Sequence, residues 1–296
     1  LMPGFLGPLE RFRRNYQTPI EKDNDEERRE FLRARLGPLI LRRTKDQVAT
    51  ELPPKTILVH PVDLSSAQRD LYETVRATMD KEVRDAIAAR GLEQSQFAIL
   101  DALLKLRQIC CHPALLKLQT EEAKKAKRSA KLDYLFELLD TLFAEGRRVL
   151  LFSQFTSMLQ LIERELNVRR HSYLKLTGES KDRGNLVKRF QNENIPIFLI
   201  SLKAGGTGLN LTAADTVIHF DPWWNPAAEA QATDRAYRIG QDKPVFVHKL
   251  ICSGTVEDRI HQLQQKKTLL ADSLLSGAVK GTPDADSLRE LLKPLT

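Results

Sequence analysis

The feature that most constrains this chain is a series of short, mostly apolar runs that alternate with helical patterns from Lys131 onward. Val149-Leu150-Leu151-Phe152, Ile197-Phe198-Leu199-Ile200, Thr216 to Phe220 and Val245 to Leu250 are of the length and composition of strands buried on both faces. Between and around them lie helical segments at Leu132 to Ala144, Thr156 to Leu166 and Asp182 to Gln191, and a further strand at Ser172 to Leu176. A long helix from Thr255 to Leu275 follows, with Val256, Ile260, Leu263, Leu270 and Leu274 on or near one face. Regular alternation of this kind predicts an α/β fold, a parallel sheet flanked by helices. In an open sheet of this type, ligands bind beyond the carboxyl ends of the strands.

Three small polar groupings occupy those strand ends. Ser153-Gln154, Thr177-Gly178 and Lys203-Ala204-Gly205-Gly206 each follow a predicted strand, so they share one edge of the sheet. Backbone amides and hydroxyls there suit phosphate contacts, which position a duplex without reading its sequence. The glycines of Ala204-Gly205-Gly206-Thr207-Gly208 let the backbone approach a polyanion and accept positive φ.

After the next strand comes a predicted helix from Ala227 to Ile239, with Asn225 as N-cap, Pro226 in the first position and Gly240 at its end. On such a helix Gln231, Arg235 and Arg238, spaced i, i+4, i+7, share one face. Two arginines on one rigid face can grip a phosphoryl group as its charge grows, an effect worth roughly 3 to 5 decades of rate in phosphoryl transfer. The plainer alternative is a solvated face that these arginines share with Glu229 and Asp234.

Upstream, Asp25-Glu26-Glu27-Arg28 has the letters of an acidic magnesium motif, but the polar residues before it form no strand, so it reads as a helix N-terminus rich in acids. Thr56 to Leu64 alternates like a strand. Ser65 and Ser66 can cap a helix from Ala67 to about Ala89, striped with Leu71, Val75, Met79, Val83 and Ile87 and broken by Gly91. A second helix runs from about Glu93 to Cys111. Glu121 to Lys131 is a polar, basic run expected to be a solvated loop, with contact to a DNA backbone as the sharper alternative.

The 296 residues suffice for one large domain or two small ones, and 46 Lys+Arg against 39 Asp+Glu, net +7, fit a polyanionic partner. Three cysteines, Cys110, Cys111 and Cys252, make no disulfide framework and suggest a reducing compartment. Cys110-Cys111-His112 lacks a second Cys/His cluster, so no metal site is expected. No run of about 18 apolar residues is present, so no membrane span is expected. The opening Leu-Met-Pro-Gly suggests a piece of a longer chain.

AGGTGLNLTAADTVIHFDPWWNP followed by QATDRAYRIGQ resembles motifs V and VI of the Swi/Snf family of helicase-like double-stranded DNA translocases. LLFSQF resembles its motif IV, Thr177-Gly178 its next phosphate-contacting loop, and LRQICCHP the end of its helical insertion. Thr177 stands where the family usually has Asp, and Tyr237 where relatives often carry His. The resemblance implies a RecA-like lobe with a helical insertion, and arginine fingers Arg235 and Arg238, with Gln231, reaching a nucleotide held by a partner lobe. It implies nucleotide contacts from Gly206, Gly208 and Asn210, and DNA contacts from Ser153, Gln154, Thr177, Gly178, Lys203, Ala204, Gly205 and Trp224.

The sequence contains no G-x-x-x-x-G-K-[ST] and no acidic motif on a strand, so ATP and Mg2+ are expected to be bound mainly by a first, N-terminal RecA-like lobe. The chain then divides into a connecting segment at 1–55 and the RecA-like lobe at 56–64 and 131–275. The helical insertion and basic loop fall at 65–130, and a tail at 276–296. Expected partners are double-stranded DNA and that first lobe, in an intracellular setting. An inert nucleic-acid-binding module and the second lobe of an RNA helicase remain as alternatives; the latter would be expected to read more like His-Arg-x-Gly-Arg where this chain has Tyr-Arg-Ile-Gly-Gln.

Overall fold

A computed structural model of the chain describes residues 5–22, 25–36, 52–116, 120–205 and 208–273. Residues 37–51 of the expected connecting segment, the loop residues Gly206 and Thr207, and the expected tail lie outside them. The described residues fall into two compact units, one made of residues 5–36 and the other of residues 52–273.

In the small unit, residues 9–22 are helical and α1 spans Glu26–Leu36. Asp25 Oδ1 accepts from the Arg28 N–H at 3.0 Å, so the acidic cluster is a helix N-terminus, as expected. The Tyr16 and Phe31 rings stack with centroids 6.4 Å apart.

The large unit opens with β1 (Lys55–Val62). Helix α2 (Ser66–Gln94) starts at Ser65, whose Oγ accepts from the Gln68 N–H at 3.4 Å. Its helical backbone is interrupted at Gly91, where φ is +74°. The stripe Leu71, Val75, Met79 and Val83 is buried against α3 (Gln96–Cys111), with Ile87 packed at its margin. Then follow a short helix α4 (Glu121–Lys125), capped by Thr120 Oγ1, and α5 (Ala130–Ala144), capped by Ser129 Oγ. The expected solvated loop is therefore only partly one. Its last residue, Lys131, is fully buried and ion-paired to Glu257.

The remaining elements alternate: β2 (Val149–Ser153), α6 (Thr156–Val168), β3 (Tyr173–Leu176), α7 (Arg183–Asn192), β4 (Ile197–Ser201), α8 (Leu202–Gly205), β5 (Thr216–His219), α9 (Pro226–Thr233), β6 (Val245–Cys252) and α10 (Val256–Ser273). The strands form one six-stranded sheet, parallel at every pairing, in the order β1-β6-β5-β2-β4-β3.

Side chains alternate across this sheet with period two. Val149, Leu151, Ile197, Leu199 and Ile218 face one core with α5 and α6. Leu150, Phe152, Phe198, Ile200 and Val217 face the other with Phe190 of α7 and Ala232 of α9. Burial on both faces explains why the central strands read as unbroken apolar runs, and each such side chain contributes roughly 1.5 to 3 kcal/mol. A third core joins α2, α3 and the start of α10. β4 and β5 pair on opposite sides of β2, so the winding of the chain reverses there. The glycine-rich loop leaves from that switch point, where ligands of such sheets bind.

Candidate functional site

The strand ends meet as expected. Ser153 is opposite Ser201, and Leu176 opposite Ile200, so Ser153, Ser201 and Thr177 stand side by side at the carboxyl edge. A cleft of about 290 Å3 opens there, and Gln154, Thr177, Gly178 and Lys203 all line it. Thr177 and Gly178 form a tight turn in which Thr177 Oγ1 accepts from the Glu179 N–H and Ser180 Oγ accepts from the Thr177 N–H. Lys203, on α8, is exposed and has no carboxylate partner among the described residues. Lys175, also in the cleft wall, is ion-paired to Glu163.

Ser153 is placed differently from a surface contact. It is fully buried, and its hydroxyl donates to Asp221, with the Phe155 N–H on the same oxygen at 3.2 Å. Its contribution is to hold the strand end, while Gln154 faces the cleft. Ala204 is likewise buried. Trp224 is half-buried over the insertion. Sequence reading missed Thr156 and Gln160, which also line the cleft. Their spacing of four residues, just after the polar strand end, was the available signal. A wider hollow of about 510 Å3 beside β1 and α4 has Lys125, Lys127 and Arg128 against Asp63 and Asp133. Arg128 is paired with Asp133 at 3.1 Å, so its walls are of mixed sign and the smaller cleft is the better anion site.

The predicted helix from Ala227 to Ile239 requires correction. Asn225 Oδ1 caps it by accepting from the Ala227 N–H at 3.0 Å and Pro226 opens it, but it ends at Thr233. Gln231 is therefore on the helix, whereas Arg235 and Arg238 lie in the turns beyond it, and the three do not share a helical face. Hydrogen bonds from donors outside the helix take the carbonyls that a longer helix would use. The Arg235 carbonyl accepts from the Leu211 N–H at 3.0 Å, and that of Ala236 from Gln241 Nε2 at 3.1 Å. Gln241 Nε2 also reaches the carbonyls of Thr212 and Ala214. Gly240, at φ +97°, closes this turn rather than the helix.

The arginines nonetheless remain together. Arg235 is 7% exposed and Arg238 is exposed. Burial, and then the charge of Arg238, make protonation of Arg235 less favourable, with Asp234 opposing. Two neighbouring cations of this kind are a place for an anion. Glu229 is not on a solvated face: it is buried and accepts from the Trp223 N–H, Lys249 Nζ and Gln264 Nε2. Gly208 and Asn210 are exposed, and the Asn210 carbonyl accepts from Gln191 at 3.1 Å.

The residues present thus fit part of a nucleoside triphosphate's requirements, namely cations for its outer phosphates. They do not fit Mg2+, which requires hard oxygen ligands. Among the described residues, the group with metal-ligand geometry is Cys110, Cys252 and Glu257. It is rich in thiols, and Glu257 is already engaged by Lys131 and the Cys252 N–H.

The six-stranded parallel sheet with flanking helices is a RecA-like α/β fold. A family model described as "Helicase conserved C-terminal domain" matches residues 130–240, and one described as "SNF2-related domain" matches residues 1–115. The chain belongs to the SWI2/SNF2 family of ATP-dependent helicase-like proteins. It is similar to the Sulfolobus solfataricus SWI2/SNF2 ATPase C-terminal domain, with 30% identity and a TM-score of 0.63 over 81% of this chain and 99% of that one. The ATPase core from the same organism, solved in complex with double-stranded DNA, is 35% identical with a TM-score of 0.61 over 94% of this chain and 58% of that one. YwqA of Bacillus subtilis, named for ATP-dependent helicase or translocase activity, is 42% identical over 92% of this chain. The chain spans 30% of the length of that relative. No helix among the described residues is long and apolar enough to cross a membrane.

Proposed function

We propose that this chain is the second motor lobe of an ATP-dependent double-stranded DNA translocase that remodels protein–DNA complexes. The cleft residues Gln154, Thr177, Gly178 and Lys203 contact phosphates of one strand, with Gly205 and Trp224 beside them. Arg235 and Arg238, with Gln231, complete a nucleotide site whose phosphate cradle and Mg2+ carboxylate belong to a first lobe. Gly206, Gly208 and Asn210 form the nucleotide-facing part of the glycine loop. ATP supplies the phosphoryl group whose developing charge the arginines stabilise.

One observation carries this reading. The segment that begins at Lys203 in the cleft ends at Leu211, whose N–H is held by the Arg235 carbonyl at 3.0 Å. One short connection therefore joins the proposed grip on DNA to the arginine turn, as a motor that couples phosphate state to grip requires. The relatives' own names and the duplex-bound neighbour point the same way.

The test is Arg238→Ala in the protein carrying both lobes. DNA-stimulated ATP hydrolysis is expected to fall by roughly 3 to 5 decades while duplex affinity is retained. Near-normal turnover would remove the finger assignment. In the same assay this chain alone is expected to be silent, with DNA-dependent turnover on addition of the first lobe; turnover by the chain alone would refute the division of labour.

A further inference from the structure

The helical insertion reaches the carboxyl edge of the sheet through one buried cation. Arg107, on α3, is 2% exposed and donates through Nη2 to the Pro222 carbonyl. The same nitrogen lies 3.9 Å from Asp221 Oδ2. Its guanidinium is 5.4 Å from the Trp224 ring centroid and 5.9 Å from that of Phe155. The Asp221 carboxylate, fully buried, in turn accepts from Ser153 Oγ and from the Gln154 N–H, which lies 3.3 Å from each oxygen. One carboxylate thus gathers the insertion, the end of β2 and the loop after β5. Two buried donors of this group, Arg107 Nε and Gln154 Nε2, have no hydrogen-bond partner among the described residues. A purely structural arginine at this depth would ordinarily have its donors satisfied.

We infer that Arg107 is a positioning residue for the DNA-facing edge: through Asp221 it sets the orientation of Ser153 and Gln154, and through its ring contacts that of Trp224. This rests on the reading of the cleft as a duplex interface. Gln154 lines the cleft, and its backbone is fixed there by the Asp221 carboxylate. Arg107 does not touch the ligand. It acts by keeping Asp221 an acceptor.

The surroundings of Asp221 make this measurable. Burial pushes its carboxyl up, against the pull of Arg107, the Ser153 hydroxyl and Lys131 of α5, while Glu257 of α10 pushes it up further. Cys111 stands nearby on α3. Without Arg107 the carboxyl takes up a proton at higher pH, and the oxygen that gains it becomes a donor and can no longer accept from Ser153 or Gln154. The edge is ordered when Asp221 is ionised, so the variant retains affinity on the alkaline side and loses it as pH falls.

The experiment uses the protein carrying both lobes and a fluorescently labelled blunt DNA duplex, with anisotropy for affinity and ATP hydrolysis for turnover. Arg107→Met is expected to raise the half-saturating duplex concentration about tenfold or more, as loss of one partner of a buried charge pair does. Turnover at saturating duplex is expected to change much less, and the variant's affinity to fall with pH at a higher pH than in the wild type. Arg107→Met/Asp221→Asn, whose amide oxygen stays an acceptor at every pH, is expected to recover most of the affinity lost as pH falls. Unchanged affinity in Arg107→Met overturns the inference. So does a loss accompanied by an unmoved pH profile and no recovery in the double variant, which would make Arg107 a packing residue only. Failure of the wild type itself to bind the duplex would instead overturn the duplex reading on which the inference rests.

Discussion

Replacing Lys131 with methionine isolates an ion pair that joins α5 to the first turn of α10. Lys131 and Glu257 are both fully buried, with Lys131 Nζ bonded to Glu257 Oε2. The same oxygen accepts from the Cys252 N–H at 3.0 Å, and Cys111 Sγ lies 4.0 Å from Oε1. Methionine conserves most of the volume, so the perturbation is the loss of the ammonium. It leaves a carboxylate in a dry site with one amide and a weak thiol donor. Breaking a buried pair in this way costs about 3 to 5 kcal/mol, a large part of the roughly 5 to 15 kcal/mol that holds a domain together. Adding Glu257→Gln keeps an acceptor for the Cys252 N–H and removes the charge, so Lys131→Met/Glu257→Gln is expected to regain more than half of the loss. Urea unfolding followed by far-ultraviolet circular dichroism measures both, as shifts of midpoint at constant slope. A loss below about 1 kcal/mol for Lys131→Met, or a double variant no more stable than the single one, would refute the reasoning.

Burial pushes the folded His219 pKa down from 6.5 to about 4, with Glu229 opposing and Lys249 assisting. The unfolded chain therefore binds the extra proton between those values, and stability is full above pH 6.5 and lost as pH falls toward 4, by roughly 2 kcal/mol at about pH 5. The urea midpoint of His219→Gln should depend less steeply on pH in that window; an equal slope counts against it. Gln241→Ala leaves the buried carbonyls of Ala214 and Ala236, and the partly buried one of Thr212, without their shared donor, and is expected to cost about 1 to 3 kcal/mol. It should lower DNA-stimulated turnover more than duplex affinity, because it loosens the arginine turn. Lys203→Ala should weaken duplex binding and reduce the slope of log affinity against log salt by about 0.9, one phosphate contact; an unchanged slope would remove Lys203 from the interface.

Much of the site was legible because a parallel sheet delivers every strand's carboxyl end to one edge. Once Val149 to Phe152, Ile197 to Ile200 and the strand ending at Leu176 are recognised, the grouping of Gln154, Thr177, Gly178 and Lys203 follows without knowledge of strand order. Other parts were not legible. Ser153 has the same polarity as its neighbours, and nothing local indicates that its hydroxyl turns inward to Asp221, 68 positions away. Arg107 sits in an ordinary helical stretch, and its partners come from the loop after β5.

By itself the sequence determined the order of strands and helices, their parallel packing, the glycine loop and the proximity of Arg235 to Arg238. These depend on local composition and on short spacings. The tertiary structure decided where the alanine-rich helix stops, since Leu211 and Gln241 withdraw the carbonyls of Arg235 and Ala236 from the helical ladder. It also decided that Lys131 and Glu229 are buried charges rather than solvated ones. Helix propensity and charge are properties of a few adjacent residues. The hydrogen bond from Leu211 to Arg235 and the ion pairs of Glu229 with Lys249 and of Lys131 with Glu257 join segments 20 to 126 positions apart, and only the folded chain brings those together.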